Sequence, residues 1–266
     1  MLVSFLAAAA GVLPAFVAPP LARAGVAGLP TEHPFAPLTA DPTEVRLGFD
    51  WIEGGQLAAY TGRRLGLARF GTGPRAAVLS ADGMLWARIS SRPHFTFPLQ
   101  TVDGAFGVSL DRARGAWSER LRWGHHSGHF GDGAQNLAKR AFVYSRETME
   151  LLAAWAPGAR VRLYAGPLFT VRADPRASAF QWITGGELRA PRAASARTVP
   201  YAAWHLDLKA ENANRVNQSY ELGLRLVATS RSSARFIVGY FDGVSERGQL
   251  WRTPERYVRL GVAVGD

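Results

Sequence analysis

From Glu44 onward the apolar side chains of this chain recur at every second position, segment after segment. Val45, Leu47, Phe49 and Trp51 alternate with Arg46, Gly48 and Asp50. Tyr220, Leu222, Leu224 and Leu226 alternate with Glu221, Gly223 and Arg225, and Val258, Leu260, Val262 and Val264 with Arg259 and Gly261. A strand points successive side chains to opposite faces, so strict alternation sets one face in an apolar medium and the other in a polar one. Twelve such segments are expected, near 44–52, 57–70, 76–89, 102–112, 117–127, 142–155, 159–172, 177–188, 201–210, 217–229, 234–243 and 256–264. Turn-forming runs such as Gly71-Thr72-Gly73-Pro74 and Ala156-Pro157-Gly158 separate most of them. The sixth is ambiguous, because Glu147 to Trp155 reads equally as a short helix.

Two all-β structures satisfy the pattern. In a soluble sandwich the apolar face is the core; in a single antiparallel transmembrane β-barrel it meets lipid and the polar face lines the lumen. An even strand count favours the barrel. So do aromatic residues near segment ends (Trp51, Tyr60, Trp123, Trp155, Tyr201, Trp251, Tyr257), which are expected to form girdles. Long connections (Ser90–Thr101, Gly128–Ala141, Val244–Glu255) alternate with short ones, 189–200 excepted, as in outer-membrane barrels. Beyond residue 24 no apolar run reaches the roughly 18–20 residues of a spanning helix.

The N-terminus points to export. Leu2 to Phe16 is apolar and Ala-rich, and Ala22-Arg23-Ala24 is a small-x-small cleavage pattern, so residues 1–24 are expected to be a signal peptide. Residues 25–43 are proline-rich and read as an extended lead-in, leaving 44–266 as the barrel domain. The expected location is the bacterial outer membrane. Expected partners are outer-membrane lipid and lipopolysaccharide, the barrel-assembly machinery and small anionic solutes.

Charge and composition remove several function classes. Lys and Arg total 31 against 21 Asp and Glu, for a net charge of +10, and lysine occurs only at Lys139 and Lys209. The arginines are scattered at alternate strand positions, with no basic stripe, aromatic-basic module or phosphate-cradling Gly-rich loop, so no nucleic-acid partner is expected. There is no cysteine, which excludes disulfides, thiol catalysis and cysteine metal sites. No cofactor and no metal are expected.

Four segments carry a family resemblance: HPFAPLTADP (33–42), FPLQTVDGAFGVSL (97–110), WSERLRWGHHSGHFGD (117–132) and YFDGVSERGQLWR (240–252). Together they resemble the bacterial outer-membrane barrels known as domain of unknown function 1207. The family's His-x-Ser-x-His-x-Gly-Asp pattern falls on His125, Ser127, His129, Gly131 and Asp132. Its Asp-Gly-x-Ser-x-x-Gly-Gln pattern falls on Asp242, Gly243, Ser245, Gly248 and Gln249. The resemblance implies a barrel in the outer membrane and brings no activity with it.

Residues 117–132 hold the one local hint of chemistry. His125, Ser127 and His129 share a face with Leu121 and Trp123, so His125 and Ser127 are expected at the outer rim of the apolar face. A serine needs a neighbouring base, and positions i and i+2 of a strand set imidazole beside hydroxyl. The pair is similar to the His-x-Ser pair of outer-membrane phospholipase A, another twelve-stranded barrel; the third, orienting group would be Asp132 or Asn136. Two other readings stand beside it: a loop base in which Ser127, Asp132, Ser245 and Gln249 tie two long loops, and a metal or ligand site from His125, His129 and Asp132. Glu119, on the same face near the inner rim, fits poorly with lipid.

The polar face is the second candidate. Arg46, Asp50, Arg64, Arg120, Arg122, Arg162, Asp207, Lys209, Glu221, Arg225 and Arg259 are expected to line the lumen. Their charges either pair across it and close it or leave an anion-preferring passage. The leading expectation is a structural protein or a narrow basic-lumen pore, monomeric or weakly oligomeric. A lipid hydrolase using His125 and Ser127 is the alternative, and a soluble exported β-domain the third reading.

Overall fold

The computed structural model describes residues 26–90, 97–134, 140–191, 197–209, 216–229 and 232–264. The first 25 residues, and with them the expected signal peptide, lie outside the described residues, as does Asn136. A three-residue strand β1 (Val26–Gly28) precedes twelve longer ones: β2 (Leu47–Ile52), β3 (Gln56–Phe70), β4 (Ala77–Ser90), β5 (Leu99–Arg114), β6 (Trp117–Phe130), β7 (Ser145–Trp155), β8 (Val161–Asp174), β9 (Phe180–Arg189), β10 (Thr198–Lys209), β11 (Val216–Thr229), β12 (Ser232–Val244) and β13 (Pro254–Val264). Every barrel pairing is antiparallel between sequence neighbours, and β13 closes onto β2 from Arg259 opposite Ile52 to Val264 opposite Leu47. The chain is a closed twelve-stranded barrel. The ambiguous sixth segment is strand β7: its alternation of Arg146, Glu150, Leu152 and Ala154 inward against outward neighbours overrides the helix propensity of that run.

The apolar face points out. Leu47, Phe49, Trp51, Leu222, Leu224, Phe236, Val238, Leu260 and Val262 are all exposed, Leu222 to 63%. An apolar surface this continuous is incompatible with water and excludes the sandwich. The girdle expectation needs correction at four of its seven residues. Tyr60, Tyr201 and Tyr257 share the inward parity and Trp251 is buried in the loop after β12. Each tyrosine has a polar neighbour inside, as Tyr60 does in Asp50 (3.0 Å). The outward tryptophans and tyrosines are Trp51, Trp117, Trp123, Trp155, Trp182, Trp204, Tyr220 and Tyr240. Glu119 also finds its place: it forms an ion pair on the outer face with Arg112, its direct cross-strand partner.

One end of the barrel carries the connections 91–98, 131–144 and 245–253; the other carries 115–116, 156–160 and 230–231, with β2 beginning and β13 finishing there. From that short-turn end the lead-in runs into the lumen. Gly66 faces inward where any Cβ would collide with the carbonyl oxygen of Pro30, so a glycine is required for the chain to pass. Phe35, wholly buried, packs with Leu38, Leu152, Ala154, Tyr164 and Ile183 into an apolar core inside the barrel. Ala40 packs on Tyr201 and Ala203. The lumen is a plugged interior rather than a polar channel.

The plug is held by complementarity of hydrogen-bonding groups. Prolines at 30, 34, 37 and 42 lack an N–H, so the segment carries acceptors in excess, whereas an arginine is all donors. Arg162 donates to the carbonyls of Ala36 (2.7 Å) and Pro37 (2.9 Å), and Arg235 to that of Thr39 (3.2 Å). The guanidinium groups of Arg120 and Arg162 lie over the Phe35 ring, 4.4 and 4.8 Å from its centre. Glu44 receives Arg120 at 3.0 Å and Arg64 at 3.5 Å, and its own plug's Leu38 N–H at 2.9 Å. Burial alone would raise the Glu44 carboxyl, but Arg120 and Arg64 overcome it and hold it well below the usual carboxylate range.

Candidate functional site on the outer face of β6 and β7

Strand register builds the outward patch. His125 stands between Phe106 of β5 and Glu147 of β7, and Ser127 between Gly104 and Ser145. Directly opposed side chains on one face have Cβ atoms about 4.5–5.5 Å apart, and i, i+2 neighbours are separated by two strand rises, about 7 Å. The His125 ring stacks on Phe106 with centres 4.9 Å apart and planes at 27°; Trp123 meets the same Phe106 edge-on at 5.7 Å. Small residues, Gly104 and Ser145, flank Ser127, and the Leu85 side chain leans over Gly104 beside it. No hydrogen bond joins His125, Ser127 and Glu147; the imidazole is engaged by the Phe106 stack instead.

Register therefore supplies a carboxylate that sequence reasoning missed. Glu147 lies 22 positions beyond His125, past a long connection, and was hidden inside the segment that read as a possible helix. Asp132 is held elsewhere: its carboxylate accepts the Leu99 N–H (3.3 Å) from a single 3-10 turn at Asp132–Ala134, while Gly131 donates to Gln100 (2.8 Å). The two bonds pin the start of β5. His129 is exposed opposite Val102, two positions beyond Ser127. Among the described residues no group of three His, Asp or Glu side chains converges as metal ligands.

The second motif folds inward over the mouth of the barrel. Gln249 donates to the carbonyls of Gly128 (2.9 Å) and Phe142 (2.6 Å) and accepts the Phe142 N–H (3.3 Å). Gly248 donates to Asp103 (2.6 Å), which also meets His126 at 3.1 Å. A side chain at Gly128 would strike Asp103 and Gly248, so this approach requires glycine. Ser245 accepts the Arg247 N–H (3.3 Å) within its own loop. Asp242 faces out and pairs with Arg256 (2.9 Å). The loop tie thus runs through Gln249, Gly248 and Asp103, with Ser127 and Asp132 outside it. His126 also lies between Trp86 (4.8 Å) and Tyr144 (5.0 Å). Gln249→Ala strands the Gly128 and Phe142 groups, and is expected to cost about 1–3 kcal/mol, read as a lower urea midpoint and faster proteolysis within 245–253.

The inward charges pair along the barrel wall, within a strand or with strands one or two places away. Arg259 bridges Asp50 (2.9 Å) and Glu221, and Arg122 grips Asp82 (3.0 and 2.5 Å). Arg162 meets Glu187 (2.8 Å), and Lys209 meets Asp207 (3.1 Å) and Glu246 (2.7 Å). Arg46 donates to the Asp41 and Pro42 carbonyls (3.1 and 3.2 Å), and Arg225 to Ser233 (3.2 Å). Toward the long-loop mouth a cavity of about 130 Å³ remains, floored by Asp41 to Thr43 and lined by Glu150, Asp207 and Glu246 among others.

A closed antiparallel barrel with an apolar exterior, long loops at one end and paired charges within is an outer-membrane β-barrel fold. The chain belongs to the family described as protein of unknown function (DUF1207), whose profile matches residues 101–265. That span contains the outward patch and both loop motifs; the plug precedes it. Among solved structures the chain is similar to outer membrane phospholipase A from Escherichia coli, at 16% identity and a TM-score of 0.53 over 88% of this chain and 94% of that one. It is likewise similar to the Salmonella typhi outer membrane phospholipase, solved as a dimer with bound calcium, at 14% identity and a TM-score of 0.52 over 85% and 91%. At such identities the likeness concerns the fold. No curated protein sequence matches.

Proposed function

We propose that this protein is exported behind residues 1–24 to the bacterial outer membrane, where it hydrolyses lipid esters at the outer face of β6 and β7. The observation that carries this reading is the in-register patch of Ser127, His125 and Glu147 on the apolar exterior. A lipid substrate reaches such a patch laterally, and the plugged lumen is not needed for it. The two solved barrels named above are phospholipases, which accords with the reading. Barrel-assembly machinery and lipopolysaccharide are the partners such a location brings.

The chemistry follows from the three side chains. His125 takes the Ser127 hydroxyl proton as the oxygen attacks the ester carbonyl carbon. The tetrahedral intermediate collapses with cleavage of the carbon–oxygen ester bond, and His125 returns the proton to the departing alkoxide. Water, deprotonated by His125, then attacks the acyl-serine and releases the fatty acid, restoring Ser127. Glu147 is a positioning residue that steadies the imidazolium formed in between. Fatty-acid release from phospholipid mixed micelles by wild type, lost in Ser127→Ala, is the expected result; a wild type without release overturns the reading.

A second reading, an anion-preferring passage, is favoured by the bonding of the plug. Arg64, Arg120, Arg162 and Arg235 all donate to lead-in atoms, so departure of the lead-in would leave these four with only the wall carboxylates Asp111, Glu187 and Glu221 as partners. Single-channel current in planar bilayers tests it.

A further inference from the structure

Among the described residues the outer surface carries a depression of about 420 Å³, far from the His125 patch. It lies toward the short-turn end across β6 to β10. Strand register gives its plan. One row runs Trp117, Trp155, Leu163, Gly186 and Trp204; the next, two residues deeper, runs Ala153, Ala165 and Thr184. The floor is alanine and threonine, the Trp204 ring lies across Gly186, and Glu119, paired with Arg112, flanks Ala153 at the β6 edge. Trp117 and Trp155 stand directly opposite one another at the mouth, 44% and 37% exposed, and Trp182 closes the inner end. From the Trp155 level to the Trp182 level is four strand positions, about 13 Å.

The mouth is cationic. Arg114 ends β5 beside Trp117, and Arg160 ends the turn that follows Trp155; both are exposed. We infer that this groove binds one glycerophospholipid of the inner leaflet, its acyl chain between the tryptophans and its phosphate against Arg114 and Arg160. Short turns mark the periplasmic end of such barrels, which sets the mouth at that leaflet's headgroup level. Tryptophan at this level matches the boundary between chain and headgroup. A second copy of the chain fits poorly: a twofold contact centred here would set cavity against cavity and bring Arg114 and Arg160 against their own like charges.

Native mass spectrometry of the full chain, titrated with phosphatidylglycerol, tests the assignment. Wild type is expected to retain one lipid at collision energies that strip the rest. Ala165→Trp fills the floor and is expected to weaken that binding at least tenfold. Arg114→Glu combined with Arg160→Glu is expected to weaken it about tenfold, by loss of two cationic contacts at the membrane surface. Phe49→Ala, on β2 at the opposite side of the barrel, is expected to bind as wild type does. Each variant is first checked for folding by its heat-dependent gel mobility, with Ala153→Leu taking the place of Ala165→Trp if the latter does not fold. Equal binding by wild type and both groove variants overturns the assignment, as does a wild-type dimer that the floor substitution dissolves.

Discussion

Replacing Glu44 with alanine is expected to detach the plug and turn a closed barrel into a conducting one. Glu44 is the plug's charged anchor, and Arg120 and Arg64 face it in a region with little water. Removing one member of a buried ionic group leaves the others uncompensated, at a cost of about 3–5 kcal/mol. Asp111, 3.5 Å from Arg64 and 3.6 Å from Arg120, compensates only part of the two positive charges. The freed lumen would present Arg64, Arg120, Arg162 and Arg235, so current through the variant is expected to prefer chloride over potassium. Acid should act in the same direction. Because folding holds the Glu44 carboxyl below its unfolded value, its contribution is complete above roughly pH 4.3 and declines as the pH falls below that. Wild type is therefore expected to be silent in planar bilayers at neutral pH and to open in acid, with Glu44→Ala open at both. A variant that stays silent, with an unchanged unfolding midpoint, would mean the plug is held by Phe35 and the backbone bonds alone.

The barrel was legible because its cause is local. Each strand's alternation is printed in consecutive residues, as in Leu222, Leu224 and Leu226 against Glu221 and Arg225, and the twelve barrel strands β2 to β13 each overlap one of the twelve expected segments, while the short β1 falls in the expected lead-in. The plug was half legible. Its prolines and the arginines of the inward faces were both visible, but the extended lead-in was not matched with the donors awaiting it, since that pairing joins residues up to 196 positions apart, as Thr39 and Arg235 are. The aromatic girdle failed for a related reason: proximity to a strand end does not fix the face, and Tyr60, Tyr201 and Tyr257 have inward parity. The same distinction governs the candidate site. Parity within β6 placed His125 and Ser127 together on the outer face, while the partner across the strand depended on how β7 registers after a long connection. That register brings Glu147, rather than Asp132, beside His125.

Substitutions in that patch are expected to separate three roles. Ser127→Ala removes the nucleophile and His125→Ala the base, and each should lower kcat by about a thousandfold or more. The double variant should be no worse than either single one, since two groups acting in one step are lost together. Glu147→Gln keeps the shape but not the charge, and is expected to lower kcat roughly tenfold with KM unchanged, a part of which Glu147→Asp should restore. Asp132→Ala provides the contrast. Its carboxylate holds the Leu99 amide rather than His125, so it should loosen the connection before β5 and leave kcat nearly unchanged. Phe106→Ala is informative for a different reason, because it removes the ring on which His125 stacks; freed imidazole can then rotate toward Ser127 or away from it, and the sign of the change in kcat reports which orientation the stack enforces. If Asp132→Ala lost activity while Glu147→Gln kept it, the orienting role assigned here by strand register would be wrong, and the catalytic geometry would have to be assembled by the loop after β6 instead.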